Sequence, residues 1–129
     1  MTASSVNARV LRVDHASLVV ADPEMARHFY ETLLGLLPLP RPDLGFPGRW
    51  YDLGSGQALH LLGGENPDPV SRPVPGGRDR HLALRVQGLE ELLRRLEAAG
   101  FPAERSRSGR MAAFVRDRDG NTIELLEAD

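Results

Sequence analysis

At 129 residues, with 41% hydrophobic and 26% charged residues and a net charge of -2, the chain has the size and balance of one ordinary domain. It has no Cys, which excludes disulfides, thiolate metal sites and thiol nucleophiles, so any metal must be held by nitrogen and oxygen. All 16 basic residues are Arg, which removes Schiff-base and P-loop lysine chemistry, and their interspersion with acids leaves no basic field for nucleic acid.

Residues 1–7 carry neither the basic start nor the apolar centre of a secretory signal, and the expectation is a cytoplasmic protein. No apolar run approaches the ~20 residues of a membrane span, so a membrane is not an expected partner. Residues 10–20, VLRVDHASLVV, read as a strand that stops at Ala-Asp-Pro. Asp22 can cap a helix whose first turn accommodates Pro23, and EMARHFYETLLG carries Met25, Phe29 and Leu33 at helical spacing before Gly35 ends it. His28 falls mid-helix towards solvent. A short apolar piece, LLPLP, and a Pro/Gly-rich loop lead to two strands, RWYDLG and QALHLL, so the first unit is βαβββ.

Residues 63–79 are rich in Pro and Gly without periodicity and read as a linker or mobile loop, long enough for a lid. The pattern then restarts. RHLALRV is a strand, Leu89, Leu92, Leu93 and Leu96 mark one face of a helix closed by Gly100, and MAAFVRD and NTIELLE follow as strands. With a weaker strand in 102–107, the second unit is again βαβββ. The expected organisation is one domain over 1–129, made of a module at 8–63, a linker at 64–79 and a module at 80–128.

In register, DHASLVV lies on RHLALRV and ALHLL on TIELL, so His15 falls on His81 and His60 on Glu124. Four metal-competent side chains occupy two pairs of equivalent positions. Each isolated strand His is more often a core or rim group than a ligand, but four in repeat register point to one centre formed by pseudo-twofold packing. Glu124 lies within an apolar run, where an unpartnered carboxylate would be costly. Imidazole and carboxylate suit Zn, Ni, Fe, Mn or Co, and four ligands leave open positions for a substrate oxygen or water.

These residues resemble the vicinal oxygen chelate superfamily, which includes glyoxalase I, fosfomycin-resistance enzymes, bleomycin-resistance proteins and extradiol dioxygenases. The resemblance rests on VDHASLVVADPEMARHFYETLLGL, RHLALRV and FVRDRDGNTIELLE and covers nearly the whole chain. It implies an α+β fold in which two βαβββ modules form an eight-stranded half-barrel around a divalent metal. It implies His15, His60, His81 and Glu124 as metal ligands. In glyoxalase I the fourth-strand position is usually Glu; His60 stands there here, which leaves Glu124 as the single carboxylate base and candidate catalytic residue.

The expected function is therefore a glyoxalase-like, metal-dependent lyase or isomerase acting on a small anionic oxygenated substrate. The alternatives are an extradiol-type dioxygenase, a fosfomycin-resistance-type transferase, or a metal-free drug-binding protein of the bleomycin-resistance type. Against the transferase, the chain has no Lys, and RSRSGRM does not match the ion-binding loop of those enzymes. Candidate substrate-binding groups are Arg85, four residues beyond His81, Ser17, two beyond His15, and Trp50 or Tyr51, only one of which can face inward. Arg49, Arg78, Arg80 and Arg110 near the expected rim favour an anionic ligand. Members of the superfamily often pair modules between chains, and a homodimer is expected.

Overall fold

The computed structural model describes residues 7–69 and 71–129. Eight strands make two four-stranded mixed sheets, β1-β4-β3-β2 and β5-β8-β7-β6, so each module is its own sheet and the barrel is not closed. In the first sheet, β1 (His15–Val20) pairs parallel with β4 (Gln57–Gly63), and β3 (Gly48–Gly54) joins β4 to the short edge strand β2 (Leu37–Leu39). The second sheet repeats this with β5 (His81–Val86), β8 (Thr122–Glu127), β7 (Ala112–Arg116) and β6 (Ala103–Arg105).

Strand alternation decides which residues meet the helices. Leu59, Leu61 and Tyr51 of the first sheet, and Ile123, Leu125 and Val115 of the second, are fully buried on the helix side. Helix α1 (Pro23–Arg27) begins where Asp22 accepts the Glu24 N–H at 2.9 Å, with Pro23 in the first turn. The single regular helix expected here does not continue: from His28 to Leu33 the backbone widens into a π-helical segment. In it the sequence neighbours Phe29 and Tyr30 both face the core, at 2% and 0% exposure, while Met25 is left 48% exposed. His28 is exposed, as expected.

Helix α2 (Leu89–Ala98) buries Leu89, Leu93 and Leu96 against the same core. Its start is capped from far along the chain: Glu127 of β8 accepts the Gly88 and Leu89 N–H groups at 3.0 and 3.1 Å. A carboxylate there satisfies orphan donors and complements the helix dipole.

The two modules are held together at the β7–β8 turn. Asp117 accepts a hydrogen bond from the Tyr30 hydroxyl at 2.6 Å and another from the Asn121 amide at 3.0 Å. Asn121 also donates to the Val19 carbonyl at 2.9 Å, and Asp119 accepts from Ala21 N–H at 2.9 Å. Burial raises the Asp117 carboxyl above its ordinary range despite these donors. On the helix side, the edge residues Ala16 of β1 and Leu82 and Leu84 of β5 line a cavity of about 970 Å³. Among the described residues no helix is long and apolar enough to cross a membrane.

Candidate metal centre

The repeat expected from the sequence is present at the level of strand register. Ser17, His60, Trp50 and Leu39 form one row across the first sheet; Ala83, Glu124, Phe114 and Glu104 form the matching row across the second. His60 thus occupies the place of Glu124, and Trp50 that of Phe114. All these side chains project from the faces opposite the helices, because the alternate residues fill the core.

Within one chain the four candidate ligands make two pairs. On the first sheet the His15 and His60 rings stack at 4.0 Å, and Trp50 stacks on the other side of His60 at 4.3 Å. On the second, His81 Nε2 stands 3.2 Å from Glu124 Oε1, with the Phe114 ring edge-on to His81 at 5.3 Å. Among the described residues, no three His, Asp or Glu side chains converge into a group able to hold an ion.

The hydrogen bonds of the imidazoles fix which ring nitrogens are left facing the open side. His81 Nδ1 lies 2.7 Å from the Asp79 carbonyl oxygen, which can only accept, so Nδ1 carries a proton and Nε2 is the ring atom that faces Glu124. A nitrogen and a carboxylate oxygen this close are bridged by a proton or can share a metal ion. Donor atoms each ~2.1 Å from one metal and at right angles stand ~3 Å apart, which matches the observed separation. His15 Nδ1 is likewise fixed at 2.7 Å by the Asp14 carboxylate, leaving its Nε2 free. A ring nitrogen committed to an oxygen acceptor is the usual support of a metal-ligating His. Burial, followed by the charge of His15, pushes His60 below the ordinary imidazole range and favours the neutral, ligating form. The nitrogen and oxygen donor set therefore fits a divalent cation.

The remaining candidates separate by face. Trp50 lies with the ligands, whereas Tyr51 is fully buried on the helix side and donates its hydroxyl to Glu31 at 2.8 Å, so Tyr51 drops out of the candidate cavity. Ser17 is exposed beside His60. Arg85 is exposed and reaches the Glu127 carbonyl at 3.2 Å. Arg49 is turned to the helix side, where Glu24 and Glu31 hold it at 3.2 Å, and Arg80 pairs with Asp68. Arg110 approaches Glu124 Oε2 at 3.6 Å.

The loop expected to be mobile is tied down. Arg72 and Arg116 both reach Asp79 Oδ2, at 3.1 and 3.0 Å, and the Thr122 hydroxyl donates to the same oxygen. Arg116 also bonds the Pro73 carbonyl at 2.6 Å. Burial works to raise the Asp79 carboxyl, but Thr122, Arg116 and Arg72 outweigh it and hold it at about 2. The sequence reading missed this cluster; the one signal for it was the set of Arg and Asp residues inside an otherwise Pro/Gly-rich segment.

A family model described as the Glyoxalase/Bleomycin resistance protein/Dioxygenase superfamily matches residues 12–125, and the chain belongs to that superfamily. Glyoxylase I 4 of Arabidopsis thaliana is 27% identical over 124 residues, which span 91% of this chain and 71% of that protein. Lactoylglutathione lyase from Agrobacterium tumefaciens is similar at a TM-score of 0.64 and 24% identity, covering 91% of this chain and 93% of that one. A mutant fosfomycin resistance protein, FosX, from Listeria monocytogenes, complexed with Mn(II) and 1S,2S-dihydroxypropylphosphonic acid, reaches 0.70 at 16% identity, over 92% and 90% of the two chains. These two structural likenesses establish the fold.

Proposed function

We propose that the protein is a glyoxalase-type, metal-dependent lyase or isomerase for a small anionic oxygenated substrate, working as a homodimer. The observation that carries this reading is the His81 Nε2 and Glu124 Oε1 pair, a nitrogen and an oxygen able to ligate that stand 3.2 Å apart with the other ring nitrogen already committed. His15 and His60 supply the other half of the ligand set. Because each half sits on its own sheet, the complete centre joins the first sheet of one chain to the second sheet of its partner. The bare first face supports this: on the far edge of the sheet from His15, β2 leaves Leu37 and Leu39 69% and 37% exposed, and the His15 side chain is itself 40% exposed. A second copy laid on that face buries them.

The bound divalent ion would supply Lewis acidity, polarising a substrate oxygen. Glu124, only 5% exposed, is the group placed to take or return a proton there. With His60 in the row position equivalent to Glu124, the centre has one carboxylate base, and the neutral imidazole orients and ligates.

Elemental analysis of protein purified without added metal, with a Mn(II) titration and light scattering, tests the reading. The expected result is a dimer binding about one ion per chain. Less than about a tenth of an ion per chain after titration would sink the enzyme reading in favour of a metal-free binding protein.

A further inference from the structure

A cavity of about 770 Å³ lies on the same face as the His81 and Glu124 pair, between the loop 72–79, the turn 106–108 and the Phe114 ring. Phe114 is the shared wall. It is the register partner of Glu124, and its edge meets His81 at 5.3 Å. Gly77 closes the opposite side, where even a Cβ would stand 4.0 Å from the tip of that ring. The walls are set before any ligand arrives, because Arg72 and Arg116 anchor the loop through Asp79 and the Pro73 carbonyl.

Five arginines against two acids line this space. Three of the five are occupied: Arg72 and Arg116 by Asp79, and Arg105 by a two-pronged contact with Glu90 at 2.6 Å. Arg78 and Arg107 make no hydrogen bond or ion pair among the described residues, so two guanidinium forks remain available. Pro73, Val74, Pro75 and Phe114 give the lining an apolar part, beside the small residues of 76–77 and the hydroxyls of Ser106 and Ser108. An anionic group alone would leave that surface wet, and a neutral apolar group would leave the positive charge unmatched.

We propose that this cavity is the specificity subsite for an organic acid with an apolar, ring-sized body. Its carboxylate or phosphonate is held by Arg78 and Arg107, while oxygens at its other end reach His81 and Glu124. The proposal rests on the metal-centre reading for the chelated end and adds the chemistry of the distant end. Arg78 and Arg107 select the substrate and do not touch the reacting atoms.

The test is a titration of the full-length, metal-free, 15N-labelled protein with phenylphosphonate, and in parallel with neutral benzamide. The expected result is saturable shifts of the Gly76, Gly77, Ser106 and Ser108 amides, with the phosphonate bound at least about tenfold more tightly than benzamide. In the double variant Arg78→Ala, Arg107→Ala the phosphonate affinity falls about tenfold or more while Mn(II) binding is unchanged. No saturable shift at these amides, equal affinity for benzamide, or an unaffected double variant would overturn the proposal. Should the double variant fail to fold, the comparison of the two ligands on the unmodified protein and the single variant Arg107→Gln decide. Failure of the metal reading leaves a different mark: Mn(II) does not bind, yet the phosphonate shifts persist.

Discussion

The open faces of the two sheets start from the same plan and end in different states. On the first, His15, His60 and Trp50 stand on the same sheet as exposed Leu37 and Leu39. On the second, His81 is still exposed, but Glu124 and Phe114, the equivalents of His60 and Trp50, are covered by the chain itself at 5% exposure each, and Thr122 at 2%. Much of the difference starts at one matched position. His15 pairs in register with Ala58, and His81 with Thr122. Thr122 has a hydroxyl that donates to Asp79 and receives Arg72 at 3.3 Å and Arg116 at 3.2 Å, so it gathers the loop 72–79 over its sheet. Ala58 has nothing to gather with. Two similar modules can thus keep matched positions while one carries a built-in cover that the other lacks.

That comparison is sharpened first at the imidazoles. His15 is oriented by a side chain, Asp14, and His81 by a backbone carbonyl, so only the first support can be removed by substitution. Asp14→Ala should weaken Mn(II) binding about 10- to 100-fold without changing the fold, checked by titration and circular dichroism. An unchanged affinity would make the Asp14 contact incidental.

The next effect concerns the joint between the modules. Tyr30→Phe removes the hydroxyl that donates to buried Asp117, leaving that carboxyl short of a donor. The expected loss in urea unfolding is about 1–3 kcal/mol. The smallest effect is expected at the cover. Asp79 is held at about 2, below its ordinary value, so its carboxylate contributes fully at pH above about 4 and the contribution fades as pH falls towards 2. Amides of the loop 72–79 should therefore lose exchange protection over that interval ahead of β7 and β8, and Asp79→Asn should abolish the pH dependence while lowering protection throughout.

The period-2 strands and the capped start at Asp22 were legible in the sequence because each depends on residues a few positions apart, and the repeat register because two similar segments can be laid on each other. Register also placed His60 opposite Glu124, a match the strand pairing bears out. Other features depend on contacts across the chain. Residues 10–14 look like the start of β1, yet β1 begins at His15 and Val10 is left 90% exposed, because no neighbouring strand is there to pair with it. The parity of Trp50 and Tyr51 needed the register of β3 on β4, and the fate of Arg49 needed Glu24 and Glu31 on the same side. The cap that Glu127 places on α2 spans 39 residues and has no local signature.

The central claim is that the metal centre is completed between chains, and mixing two inactive variants tests it most directly. One variant carries His15→Ala and His60→Ala, the other His81→Ala and Glu124→Ala; each alone should bind almost no Mn(II). Co-expressed, they form mixed dimers in which one of the two sites has all four ligands, and Mn(II) binding should return to about a quarter of the unmodified level. If the mixture binds no more than the separate variants, the four ligands are not shared between chains and the account is wrong.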